Sequence, residues 1–180
     1  MPIFVALLRA VNVGGTTLLP MRSLTTLCTE LGFVNVRTYI QSGNVVFESR
    51  LSSAKTHAAL ERALAAHMGK KVDVILRDAA ALRKALADNP FPDAPPAKVA
   101  VAFCSGPVDR ALFDRVVAPG GEQVVAGDLE FYVYYPDGMG RSKLNLPRID
   151  GAVTVRNINT VARLVAMSDD IAASRRPARG

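Results

Sequence analysis

Two six-residue runs, Ile3–Leu8 and Val99–Cys104, contain only apolar side chains. Side chains alternate across a strand, so an apolar run of this kind has two faces to bury. A sheet with one wet face satisfies neither run. The chain must therefore supply cover on both sides of two strands that lie far apart in sequence. This requirement argues against an open platform on which aromatics of central strands stack exposed bases.

The pattern around the first run supplies that cover. A loop, Arg9–Gly15, precedes Leu24, Leu27, Cys28 and Leu31 at helical spacing, and Gly32 suits the helix end. Next comes Tyr39-Ile-Gln-Ser-Gly-Asn-Val-Val-Phe47. Gly43-Asn44 suits a two-residue II′ turn, whose first central residue needs φ > 0. That turn pairs Ser42 with Val45, Gln41 with Val46, Ile40 with Phe47 and Tyr39 with Glu48. It gives one apolar face of Val36, Ile40, Val45 and Phe47. The other face carries Arg37, Tyr39, Gln41 and Glu48, either solvated or turned to a ligand. Ser53 is placed to cap a helix bearing Leu60, Leu64 and Met68, closed by Gly69, and Val72–Leu76 reads as a strand. The order is β-α-β-β-α-β, the ferredoxin-like pattern. A short helix with Leu82 and Leu86 starts near Asp78.

Residues 89–97 hold four prolines and read as a semi-rigid spacer. The order then restarts with Val99–Cys104. Asp109 caps a helix with Leu112, Phe113 and Val116. Gln123–Ala126 and Leu129–Tyr135 flank the hairpin signal Gly127-Asp128. A glycine-rich loop leads to a short helix at Ser142–Leu146 and a closing strand at Val153–Val155. A last helix from Asn157 carries Ile158, Val161, Leu164 and Val165. The expected fold is α+β, with two ferredoxin-like halves in tandem packed into one compact body. The halves span residues 1–88 and 98–168, and a basic tail, 169–180, is expected to lack order.

The net charge of +6 invites a nucleic-acid reading, but its distribution weakens it. Residues 1–89 hold 11 Lys and Arg against 6 Asp and Glu, whereas residues 90–180 hold 11 against 10. Three of the latter, Arg175, Arg176 and Arg179, sit in the tail. Cys28 and Cys104 match no metal or redox spacing and read as buried, reduced thiols. His57 and His67 lie ~15 Å apart along one helix, too far to share a metal. No nucleophile motif and no zinc spacing appears, so no metal, no cofactor and no particular reaction is expected. No apolar run approaches the ~20 residues of a membrane helix. Met1-Pro-Ile-Phe lacks the features of a secretion signal, which points to the cytoplasm.

Several clusters have a chemistry to offer. In Gly138-Met-Gly140-Arg141-Ser142-Lys143, glycines let N–H groups converge, Ser142 is placed to cap a helix, and Arg141 and Lys143 add charge. The plain alternative is a hairpin-to-helix loop with solvated cations. Arg156, Asn157 and Asn159 open the last helix, where capping explains one asparagine and a polar ligand would use both. Asn12, Gly14 and Gly15 follow the first strand, where ligand loops often sit, and Arg9 is either exposed or paired, with Glu48 as one partner. Tyr132 and Tyr134 share a strand face and could stack a base or fill a covered sheet.

The letters also carry a resemblance. Leu8-Arg9-Ala-Val-Asn12-Val-Gly14-Gly15, Leu31-Gly32 and Thr38-Tyr39-Ile-Gln-Ser-Gly-Asn44-Val45 resemble a bacterial family known as domain of unknown function number 1697. Arg141-Ser142-Lys143-Leu144 and Thr154–Val161 resemble its C-terminal signature. The resemblance reaches about Met167 and implies a two-part α+β fold with ferredoxin-like halves and no established reaction. Ile158 stands where the family usually has tryptophan, and the stretch from Lys143 to Thr154 is shorter than usual.

Three functions follow as expectations. In the first, a small anionic molecule, a nucleotide or phosphorylated metabolite, binds a cleft between the halves. Arg9, Asn12, Gly14, Gly15, Arg37, Tyr39, Gln41, Ser42 and Asn44 would line one side, with Arg141, Ser142, Lys143, Arg156, Asn157 and Asn159 on the other. The second is a nucleic-acid-binding module, carried by the charge and the tyrosines. The third is a structural or interaction protein whose motif residues lock its own fold. Oligomeric state is left open by the sequence.

Overall fold

The computed structural model describes residues 1–14 and 18–175. The elements run β1 (Ile3–Leu8), α1 (Met21–Glu30), β2 (Val34–Tyr39), β3 (Asn44–Glu48), α2 (Ser53–Met68), β4 (Val74–Asp78), α3 (Ala79–Ala87), β5 (Val99–Cys104), β6 (Gln123–Ala126), β7 (Glu130–Tyr134), β8 (Val153–Asn157) and α4 (Ile158–Ala173). Two antiparallel four-stranded sheets result, ordered β2-β3-β1-β4 and β6-β7-β5-β8. In each, the first and third strands of the unit are central, as the ferredoxin-like order requires. The two apolar runs are those central strands, β1 and β5, and every residue of both is buried.

The chain divides into two units, Met1–Arg83 with Arg163–Gly180, and Lys84–Ala162. The expected boundary at residue 168 falls inside α4, whose stripe Leu164, Val165, Ser168 and Ile171 is buried. Residues 176–180 of the expected tail lie outside the described residues. The proline-rich stretch belongs to the second unit, where Phe91 meets the Tyr134 ring at 5.9 Å.

In the first unit, α1 and α2 cover one sheet face. Leu24 and Cys28 of α1 and Leu60 and Leu64 of α2 pack with Phe4, Val45 and Phe47, and Phe33 stacks on Phe47 at 4.4 Å. Burial pushes the Cys28 thiol up to about 12, in keeping with an inert core residue. On the opposite face, Asp170 of α4 reaches Arg37 at 3.9 Å, and Arg175 just beyond α4 pairs with Glu48. This is the second cover that the apolar run demanded. Ser52, not Ser53, caps α2, accepting a bond from Lys55 N–H at 3.4 Å.

The hairpin register differs from the expected one. Tyr39 pairs with Asn44, Thr38 with Val45 and Arg37 with Val46, so the connection is the four-residue loop Ile40–Gly43. Tyr39 has moved by four places along β3, an even shift, and an even shift leaves each strand residue on its original face. Val36, Val45 and Phe47 therefore remain on the core face. Ile40 and Gln41 leave the strand altogether and become exposed.

The second unit keeps the strand order but not the helices. The segment capped by Asp109 is a 3-10 turn, Arg110–Arg115, because the β-branched pair Val116-Val117 turns extended and Val117 bridges Asn145. The same bridge removes the helix expected at Ser142–Leu146. Only a 3-10 turn, Met139–Arg141, precedes it. Ser142 therefore has no helix to cap, and no helix terminus contributes charge there.

Candidate functional site

In the first unit the expected site residues bond chiefly to one another and to the backbone. Asn12 donates from Nδ2 to the carbonyls of Leu19 at 3.0 Å and Gln41 at 2.6 Å, and its Oδ1 accepts Leu19 N–H at 2.7 Å. It ties the β1–α1 loop to the hairpin tip. Asn44, fully buried, donates to the Tyr39 carbonyl at 3.0 Å and to Ser42 Oγ at 2.9 Å. Arg9 pairs with Asp73 at 3.2 Å, not with Glu48. The Asp73 carboxyl is held below its usual range first by Lys71 and then by Arg9. Gln41 is exposed and Tyr39 half-buried; Gly14 is exposed, and Gly15 lies outside the described residues.

Backbone strain gathers where these loops meet. Ala10, Asn12 and Ile40 have φ of 54°, 57° and 50°. A β-branched residue in the left-handed region is an outlier. Ile40 is 48% exposed, so little packing opposes its replacement. Ile40→Asn is expected to stabilise the fold by about 1 kcal/mol, seen as a rise of roughly 2–4 °C in melting temperature.

In the second unit, three expected site residues do share a pocket. A concavity of about 240 Å³ is lined by Pro119, Gly120, Glu122, Tyr135, Asp137, Gly138, Arg141, Ser142 and Lys143. Gly138, at φ 83°, turns the chain from β7 toward Arg141. Arg141 and Lys143 are exposed and pair with no carboxylate among the described residues. Ser142 donates its hydroxyl to Glu122 Oε1 at 2.5 Å and accepts Leu144 N–H at 3.0 Å. Glu122 Oε2 accepts Gly120 N–H at 2.9 Å. The Ser142 bond, then the N–H groups of Glu122, Gly120 and Lys143, hold the Glu122 carboxyl below its usual range. The sequence foresaw the cationic wall but missed Glu122. Its signal was present, since Gly120-Gly121 directly precedes it and paired glycines let N–H groups converge on one acceptor.

The remaining candidates lie outside this pocket and bond within the fold. Arg156 is buried in β8 and donates to Thr154 Oγ1 at 2.8 Å and to the Val155 carbonyl at 2.9 Å. Burial brings its guanidinium down to about 10, still charged at neutral pH. Asn157 caps α4, its Oδ1 accepting Asn159 N–H at 2.9 Å, while Nδ2 donates to the Ala97 carbonyl at 3.1 Å. Tyr132 is 2% exposed and donates to the Ala85 carbonyl at 2.8 Å, so its ring offers no stacking face. Among the described residues no group of three histidine, cysteine or carboxylate side chains is placed to hold a metal, and no helix is long and apolar enough to cross a membrane.

Fold and site together define an α+β protein of two tandem four-stranded units, the second carrying a small charged pocket. Residues 1–132 match the family described as protein of unknown function (DUF1697), and the chain belongs to that family. The match ends within β7, so the pocket wall from Tyr135 to Lys143 and the later C-terminal signature lie beyond it. Among solved structures, the conserved bacterial protein SP0830 from Streptococcus pneumoniae is similar, with a TM-score of 0.77 at 23% identity, covering 93% of this chain and 98% of that one. At that identity the likeness shows the fold alone. The search of the curated proteins finds no match.

Proposed function

We propose that the protein binds a small metabolite bearing an oxyanion, a phosphorylated one in the first instance, in the pocket of its second unit. The observation that carries this reading is that Arg141 and Lys143 line one pocket without carboxylate partners among the described residues. Size narrows the ligand. Pockets for drug-sized molecules run from about 300 to 1,000 Å³. A volume near 240 Å³ suits a phosphate on a short body better than a whole nucleotide.

Inorganic phosphate and short phosphorylated metabolites are expected to raise the melting temperature with concentration, because a ligand of the native state stabilises it by mass action. Arg141→Ala and Lys143→Ala should each weaken binding by about five- to tenfold. No rise beyond that given by chloride at matched ionic strength overturns the proposal. Binding of RNA or DNA with a steep inverse dependence on salt would favour the nucleic-acid reading instead.

A second reading applies to the first-unit motif. The internal bonds of Asn12 and Asn44 favour a lock that joins the β1–α1 loop to the hairpin, with no ligand required.

A further inference from the structure

We infer that the seat now filled by the Glu122 carboxylate is the ligand's own anion seat, and that a tetrahedral oxyanion enters the pocket by exchange with Glu122. The inference rests on the pocket reading above and adds which groups touch the anion and how the site selects it. Glu122 is 8% exposed, yet it is a pocket wall. Its two oxygens take the hydroxyl of Ser142 and the N–H of Gly120, with the N–H groups of Glu122 and Lys143 adding to the field. Converging backbone donors of this kind form an anion-binding nest. Gly120 is fitted to the occupant: a Cβ there would lie 2.9 Å from Glu122 Oε1.

A carboxylate uses this seat incompletely. It brings one charge and two oxygens, and leaves Arg141 and Lys143 unpaired. A phosphate monoester brings up to two charges and three terminal oxygens. It can take the Ser142 and Gly120 donors and also engage both cations. Glu122 precedes β6 directly, so releasing its side chain to water breaks no strand pairing. The tethered carboxylate then acts as a threshold. Chloride and simple carboxylates gain too little to displace it, whereas a dianion with two cationic partners gains enough.

Glu122→Gln, which keeps the shape and removes the charge, tests this. Inorganic phosphate, titrated calorimetrically, is expected to bind Glu122→Gln about tenfold or more tightly than the wild type. Acetate is expected to bind the variant and not the wild type. In the wild type, phosphate should shift the amide resonances of Gly120 and Lys143, a readout independent of how the variant folds. Unchanged or weaker phosphate binding in Glu122→Gln, or unmoved Gly120 and Lys143 amides at saturation, overturns the exchange. If those results occur while Arg141→Ala still weakens wild-type binding, the pocket reading stands and this inference alone falls. If Arg141→Ala has no effect on phosphate binding, the pocket reading itself falls, and the inference with it.

Discussion

Replacing Gly43 with alanine is expected to destabilise the first unit by about 3 kcal/mol or more, lowering its melting temperature by roughly 10 °C. Two costs coincide there. Gly43 has φ 79°, a conformation strained for any residue with a Cβ. The added Cβ would also lie 2.4 Å from Val11 Cγ2 and 2.9 Å from Leu8 Cβ. Neither neighbour yields easily. Leu8 and Val11 are 0% and 2% exposed, and the Leu8 Cβ is fixed to the backbone of a central strand. The loop cannot retreat, because the Gly43 carbonyl accepts Leu8 N–H at 2.9 Å. Gly69 supplies the control. Its φ is 66°, but a Cβ there meets nothing within 4 Å. Gly69→Ala should therefore show the conformational cost alone, about 1 kcal/mol. Equal losses in the two variants would mean that the hairpin tip is not wedged against β1.

The need for cover on both faces was legible because it leaves a plain mark in the letters. Ile3–Leu8 and Val99–Cys104 were expected to be strands with both faces covered, and every residue of both is buried. The second unit's helices were misread for a physical reason. Leu112, Phe113 and Val116 have helical spacing and Asp109 is a sound cap, yet Val117 pairs with Asn145, far along the chain. A pairing between distant residues outweighed local propensity, and spacing along the chain cannot report it. The hairpin was misread for a local reason. Gly43-Asn44 looks like a two-residue turn, and nothing in the letters says that Asn44 folds its amide back to Tyr39. Its faces survived the error only because the register moved by an even number. At the pocket, Arg141 and Lys143 were legible as a cationic loop. Glu122, twenty residues earlier in the bonded pair with Ser142, was not, because its place beside that loop is made by the β6–β7 hairpin rather than by sequence proximity.

Asn44→Ala is expected to cost about 2 kcal/mol, whereas Gln41→Ala, three residues away, should change stability by less than about 0.5 kcal/mol. The two amides look alike in sequence and stand in opposite environments. Asn44 has no exposed surface, and its Nδ2 serves both the Tyr39 carbonyl and Ser42 Oγ. Alanine removes that donor from two part-buried acceptors and leaves a small void at a position with no exposed surface. An unmet buried acceptor costs more than a made bond returns. The Gln41 side chain is exposed, and it is the backbone carbonyl of that residue that Asn12 holds. Alanine keeps that carbonyl. Chemical denaturation of the two variants separates the readings of the motif. A large loss for Asn44→Ala beside a neutral Gln41→Ala fits a lock that fixes the hairpin tip to the loop after β1. Wild-type stability in both, with phosphate binding lost in either, would instead make this block part of the ligand site and move the search for that site to the first unit.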